Sequence, residues 1–170
     1  MYEKNQINIF IVEDNKVFTL ALKADIETSF EDKPIKIHTF ETGEACMAKF
    51  KEEKPQVVVL DYHLNSKYPE AADGIKILDW IKKEKPETNV IMLTCNDNME
   101  IALKSFRHGA SDYVVKTETQ FMQINYSLSN FFKIIKAKND AKKYKHLIRL
   151  FLGFIVLQIV VVIAILIFVS

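Results

Sequence analysis

The chain has 170 residues, which suits one ordinary domain with its own core and a further terminal segment. Its formal charge of +1 hides an asymmetry: residues 1–130 carry 16 Lys or Arg against 21 Asp or Glu, whereas residues 131–149 carry seven against one. Cys46 and Cys95 show no C-x-x-C spacing and His38, His63, His108 and His146 no ligand spacing, which excludes a zinc module and leaves reduced, inert cysteines.

From the N-terminus, the apolar run Ile7–Val12 is too short for the core of a signal peptide and has no small-residue cleavage site. It reads as a strand. Further apolar runs lie at Ile35–Phe40, Val57–Leu60, Val90–Leu93 and Tyr113–Val115. Helical patterns alternate with them over Lys16–Phe30, Thr42–Glu52, Gly74–Lys85, Met99–Arg107 and from Thr119 onward. The first, third and fourth runs are nearly all apolar, as strands covered on both faces should be. Ile35–Phe40 alternates instead and suits an edge. Pro34, Pro55 and Pro86 each precede a strand by a few residues, where a helix must already have stopped, and Gly109 is placed to cap the fourth helix. Strict βα alternation with short links predicts an α/β fold, a doubly wound parallel sheet of five strands under right-handed crossovers. The site of such a sheet lies at the carboxyl ends of its strands.

The fifth helix carries an apolar stripe of Phe121, Ile124, Leu128, Phe131, Phe132 and Ile135, which closes the first domain at about residue 135. Residues 136–149 read as a basic juxtamembrane helix or linker, with Asn139-Asp140 as the place where it could break. Leu150–Val169 holds no charge, and all but Gly153, Gln158 and Ala164 are Leu, Ile, Val or Phe. A helix of that length covers roughly 30 Å, the thickness of a bilayer's hydrocarbon core. Its apolar residues favour insertion by roughly 5 to 10 kcal/mol. A single-pass transmembrane helix over residues 150–169 is therefore expected. The lysines before it place the N-terminal domain in the cytoplasm, at the inner membrane, by the positive-inside rule. They fit anionic lipid headgroups. No aromatic platform accompanies them, so nucleic acid is not expected as a partner.

Chemistry gathers at the strand ends. Glu13-Asp14 follow the first strand and Asp61 follows the third. If both strands are central and parallel, three carboxylates converge and repel unless a cation neutralises them. Mg²⁺, a hard ion that takes a few carboxylates and keeps several waters, is the natural solution. Thr94 ends the fourth strand with a hydroxyl, and Lys116 ends the fifth with an ammonium. Together they make an electrostatic cradle for phosphoryl transfer onto Asp61.

Four stretches carry a family resemblance: Ile9-Phe10-Ile11-Val12-Glu13-Asp14-Asn15, Val58-Val59-Leu60-Asp61-Tyr62, Val90-Ile91-Met92-Leu93-Thr94 and Gly109-Ala110-Ser111-Asp112-Tyr113-Val114-Val115-Lys116. In this order and spacing the chain resembles a response-regulator receiver domain, the CheY-like phosphoacceptor of two-component signalling, over about residues 7–135. The resemblance implies a flavodoxin-like strand order 2-1-3-4-5. It implies that Asp61 accepts a phosphoryl group from a histidine kinase or histidine phosphotransfer protein. Glu13, Asp14, Asp61 and the backbone carbonyl of His63 would ligate Mg²⁺. Thr94 and Lys116 would hold the phosphoryl oxygens, and Tyr113 would change rotamer as Thr94 moves. His63 and Asn96 sit where the family tunes autodephosphorylation. Two departures stand out. Thr117 follows Lys116 where the family usually has a cis proline, so this bond is either trans or strained. The stretch Tyr62–Asp73 is longer than the family's usual turn.

The expectation is thus a membrane-tethered, single-domain response regulator, not an enzyme, with no output domain. Phosphorylation would shift its fourth-helix to fifth-helix face, where a homodimer could form. A phosphorylation-independent interaction module at the membrane is the alternative, supported by Thr117. An aspartyl-phosphate hydrolase would need a second Asp shortly after the nucleophile, which Asp61-Tyr62-His63 lacks.

Overall fold

The five apolar runs are the five strands: β1 (Ile7–Val12), β2 (Ile35–Phe40), β3 (Val57–Asp61), β4 (Asn89–Thr94) and β5 (Asp112–Val115). Between them lie α1 (Lys16–Ser29), α2 (Gly43–Glu53), α3 (Gly74–Glu84) and α4 (Met99–Arg107), and α5 (Gln120–Val169) follows β5. The computed structural model describes residues 6–64, 72–95 and 98–169, without the side chains of residues 146, 156, 157, 159–166, 168 and 169. All strand pairs are parallel, in the expected order β2-β1-β3-β4-β5. β2 pairs only with β1, so its alternating sequence does lie at an edge.

Successive strand side chains point to opposite faces, and the sheet uses this period of two. Phe10 and Val12, Val58 and Leu60, and Val90 and Met92 join one core cluster with Cys46 and Phe50 of α2 and Ile77, Leu78 and Ile81 of α3. Ile9, Ile11, Val57, Val59, Ile91 and Leu93 are just as buried on the other face. Leu22 and Ile26 of α1 and Ile124 and Leu128 of α5 are fully buried as well, outside that cluster. Asn125 joins the two helices, donating from Nδ2 to Asp25 Oδ2 at 2.7 Å and Ser29 Oγ at 3.0 Å.

Helix boundaries follow local chemistry. Thr42, Asp73 and Asn98 cap α2, α3 and α4 through their side chains. Gly109 has φ +95°, and its N–H donates to Phe106 O at 3.0 Å, as a helix-terminating glycine should. Two glycines permit close packing. A Cβ on Gly43 would lie 2.1 Å from Ile77 Cδ1, and one on Gly74 would lie 2.5 Å from the backbone oxygen of Asp61.

The chain divides into two compact units, Met1–Leu128 and Ser129–Ser170. The second is α-helical to Val169, Asn139 and Asp140 included. Most side chains of the expected span 150–169 lie outside the described residues. Among the described residues, no helix is long and apolar enough to cross a membrane.

Candidate functional site

Strand register assembles the site. Val12 pairs with Leu60, Asp61 with Leu93, and Thr94 with Val115. Glu13, Asp61, Thr94 and Lys116 therefore emerge together at the carboxyl edge of four neighbouring strands. Backbone bonds fix the edge: Tyr62 N–H donates to Leu93 O at 2.8 Å, and Lys116 N–H donates to Thr94 O at 2.7 Å.

Glu13, Asp14 and Asp61 present carboxylate oxygens within 4.8 Å of one another. The Lys116 ammonium donates to Glu13 Oε2 at 2.6 Å and lies 3.1 Å from Asp61 Oδ1. The Glu13 and Asp61 side chains are only 1% and 3% exposed and that of Lys116 15%, so this is a nearly dry charge cluster rather than a surface pair. Burial pushes the Glu13 carboxyl above its ordinary range, the charge of Asp61 adds to that, and Lys116 offsets part of it. For Lys116, burial alone would lower the pKa, but Asp61 and Glu13 outweigh it and hold the ammonium above its usual value.

These residues fit a divalent cation. Asp61 Oδ1 is buried, and beyond the Lys116 ammonium 3.1 Å away it meets no donor among the described residues. Glu13 and Asp61 share the one Lys116 ammonium, and the Asp14 carboxylate lies in the same cluster. A hard cation would neutralise it.

Thr94 is fully buried at the end of β4. Tyr113 is partly buried and packs on the core cluster. His63 stacks edge-on against Tyr62, with ring centroids 4.8 Å apart, and its Nδ1 is buried without a partner. Asn96 lies outside the described residues, as does most of the long connection after Asp61, residues 65–71. No cis peptide bond occurs among the described residues, so the Lys116–Thr117 bond is trans.

Three contributors escape a reading of the sequence. Asn15 caps α1: its Oδ1 accepts from Phe18 N–H at 3.1 Å. Phe18 places its ring 5.1 Å from the Lys116 ammonium. Gly74 lets the start of α3 lie against Asp61 and Tyr62, and its N–H donates to Tyr62 O at 3.0 Å. The Asn could be suspected from its place at a helix start. The Phe18 contact joins residues far apart in the chain and leaves no local signal.

The family model described as "Response regulator receiver domain" matches residues 9–124. The chain belongs to that family. The receiver domain is similar to the nitrogen assimilation regulatory protein NtrX of Azorhizobium caulinodans, at 30% identity over 109 residues, covering 64% of this chain and 22% of that protein. It is also similar to the probable C4-dicarboxylate response regulator DctR of Bacillus subtilis, at 32% identity over 103 residues, covering 61% of this chain and 37% of the relative. The chain thus spans well under half the length of both. Among solved structures, the BeF3-activated receiver domain of DrrB, from Thermotoga maritima, superposes with a TM-score of 0.61 at 33% identity, covering 75% of this chain and 98% of that one. Receiver domains of two-component signalling bind Mg²⁺ through acidic residues and interact with histidine kinases or phosphotransfer proteins.

Proposed function

We propose that the receiver domain is a Mg²⁺-dependent phosphoacceptor and that Asp61 takes the phosphoryl group. One observation carries the reading: the Lys116 ammonium stands between Glu13 and Asp61, with the Asp14 carboxylate in the same cluster. An Asp61 oxygen would form the new P–O bond as the donor's P–N bond breaks, and the leaving nitrogen would take a proton from solvent. Glu13, Asp14, Asp61 and the His63 carbonyl would hold Mg²⁺, which supplies charge neutralisation at the transferring group. Thr94 and Lys116 would hold the phosphoryl oxygens after transfer. Lys116 reaches to 3.1 Å from Asp61 although Thr117 follows it, so we favour phosphoacceptance over a module that signals by binding alone.

We further propose that the domain works beside a membrane, with residues 150–169 as a single-pass anchor and the domain on the cytoplasmic side of the inner membrane. Support comes from the uncharged apolar tail and the basic residues 131–149, which suit anionic lipid. The tether would raise the effective concentration of a membrane-bound kinase. Output would pass through the face of α4 and α5, where Met99, Leu103, Phe106, Met122 and Tyr126 are exposed and could pair with a second copy. The chain itself would have no enzymatic turnover.

The test incubates the full chain, in mild detergent, with phosphoramidate and Mg²⁺, and reads intact mass. One phosphoryl adduct is expected, absent with EDTA and absent in Asp61→Asn. A folded protein that neither binds Mg²⁺ nor forms the adduct would return the reading to the binding-only module.

A further inference from the structure

We propose that Phe18 is a positioning residue for phosphoacceptance: its ring, braced by Phe121, holds the Lys116 ammonium at Asp61. The inference deepens the phosphoacceptor reading and rests on it.

Lys116 has a long, flexible stem, and the bond from its backbone N–H to Thr94 O does not fix where the head group lies. Thr117, Glu118 and Thr119 follow, and none of them fixes the backbone as a proline would. The head group must nevertheless stay at the site whichever oxygen it bonds. A bond to Glu13 or to Asp61 can be exchanged for one to a phosphoryl oxygen, but the face of an aromatic ring makes no such exchange. The Phe18 ring lies 5.1 Å from the Lys116 ammonium, within the range of an attractive cation–π contact, and the partly buried setting strengthens it.

The ring is itself held by the site it serves. The Lys116 ammonium donates to Glu13 Oε2 at 2.6 Å, and Glu13 Oε1 accepts from Asn15 N–H at 3.1 Å. Asn15 Oδ1 accepts from Phe18 N–H at 3.1 Å, which closes a circuit back to the ring over Lys116. From the other side Phe121, near the start of α5, meets Phe18 edge-on with centroids 5.5 Å apart. Phe18 thus holds both the head of Lys116 and the chain that leaves it. The contact with Phe121 alone would make Phe18 ordinary packing between α1 and α5. What separates the two roles is the π face, which leucine lacks and tryptophan keeps.

The experiment uses the full chain in mild detergent with ¹³C-labelled lysine, the Lys116 ε-methylene signal being assigned with Lys116→Arg. Wild type should show that signal displaced upfield by the ring. Phe18→Leu should return it to the ordinary lysine position and slow phosphorylation of Asp61 by phosphoramidate about three- to ten-fold. Phe18→Trp should restore both readouts. An ordinary ε-methylene shift in wild type overturns the proposal, and so do a leucine variant as fast as wild type and a tryptophan variant as slow as leucine. Should Phe18→Leu fail to fold, the wild-type shift and the Phe18→Trp rate decide. A wild-type chain that takes no phosphoryl group fails the phosphoacceptor reading, while the ring-current shift still upholds or overturns the Phe18–Lys116 contact.

Discussion

Single residues differ in how far their surroundings can be read from the sequence. The carboxylates, hydroxyl and ammonium of the site were legible because each directly follows an apolar run, and a parallel sheet collects such positions at one edge. The two cysteines were legible as reduced but not as different from each other. Cys46 is buried on the sheet-facing side of α2, and burial pushes its thiol up to about 12, whereas Cys95 is exposed after β4. A thiol reagent at pH 8 should therefore label the folded chain at Cys95 alone, and Cys46 only after unfolding, as peptide mass mapping would report. The linkage has a definite sign. The folded pKa of Cys46 lies above its ordinary 9.0, so its contribution to stability is fully present below pH 9 and is lost as pH rises towards about 12. In urea titrations over that range, Cys46→Ala should show a shallower loss of stability with pH than wild type.

Elements were legible where hydrophobic periodicity was strong and less so where two elements merely touch. β1 and β2 begin and end where their apolar runs do, and α4 spans Met99–Arg107 as its pattern predicts. The close approaches of α2 and α3 were not legible, because a glycine at a helix start looks the same whether or not a neighbour lies against it. The two glycines should respond differently to alanine. At Gly43 the new methyl meets Ile77 Cδ1 and Cγ1, a side chain that must repack rather than a backbone, so Gly43→Ala should cost about 1–3 kcal/mol in urea unfolding and leave phosphorylation intact. At Gly74 it meets the Asp61 and Tyr62 backbone, which has no alternative rotamer. Gly74→Ala should displace the end of β3 at Asp61 and the connection after it, and weaken Mg²⁺ binding measured by calorimetry at least ten-fold. Equal Mg²⁺ affinity in the two variants would refute this distinction.

For the molecule as a whole, the parallel five-stranded sheet was legible from the alternating βα units, whereas its strand order came from the family resemblance. Connections were the least legible, because the stretch after Asp61 has no periodicity to read. Cation binding at the carboxylate cluster of the strand ends would be linked to folding. With Mg²⁺ at 100 times its Kd, the unfolding free energy of the full chain should rise by about 2.7 kcal/mol. Asp14→Ala should abolish most of that gain, and a midpoint indifferent to Mg²⁺ would contradict it. The shared register of β1, β3, β4 and β5 has a consequence for how such a chain can diverge. Each strand hands over its polar group one step past its last apolar residue. An inserted or deleted residue inside a strand would turn every later side chain to the opposite face and carry the group away from its three neighbours. One apolar residue can stand in for another of similar volume within a strand, but the strand's length has almost no tolerance, so changes of length belong in the connections.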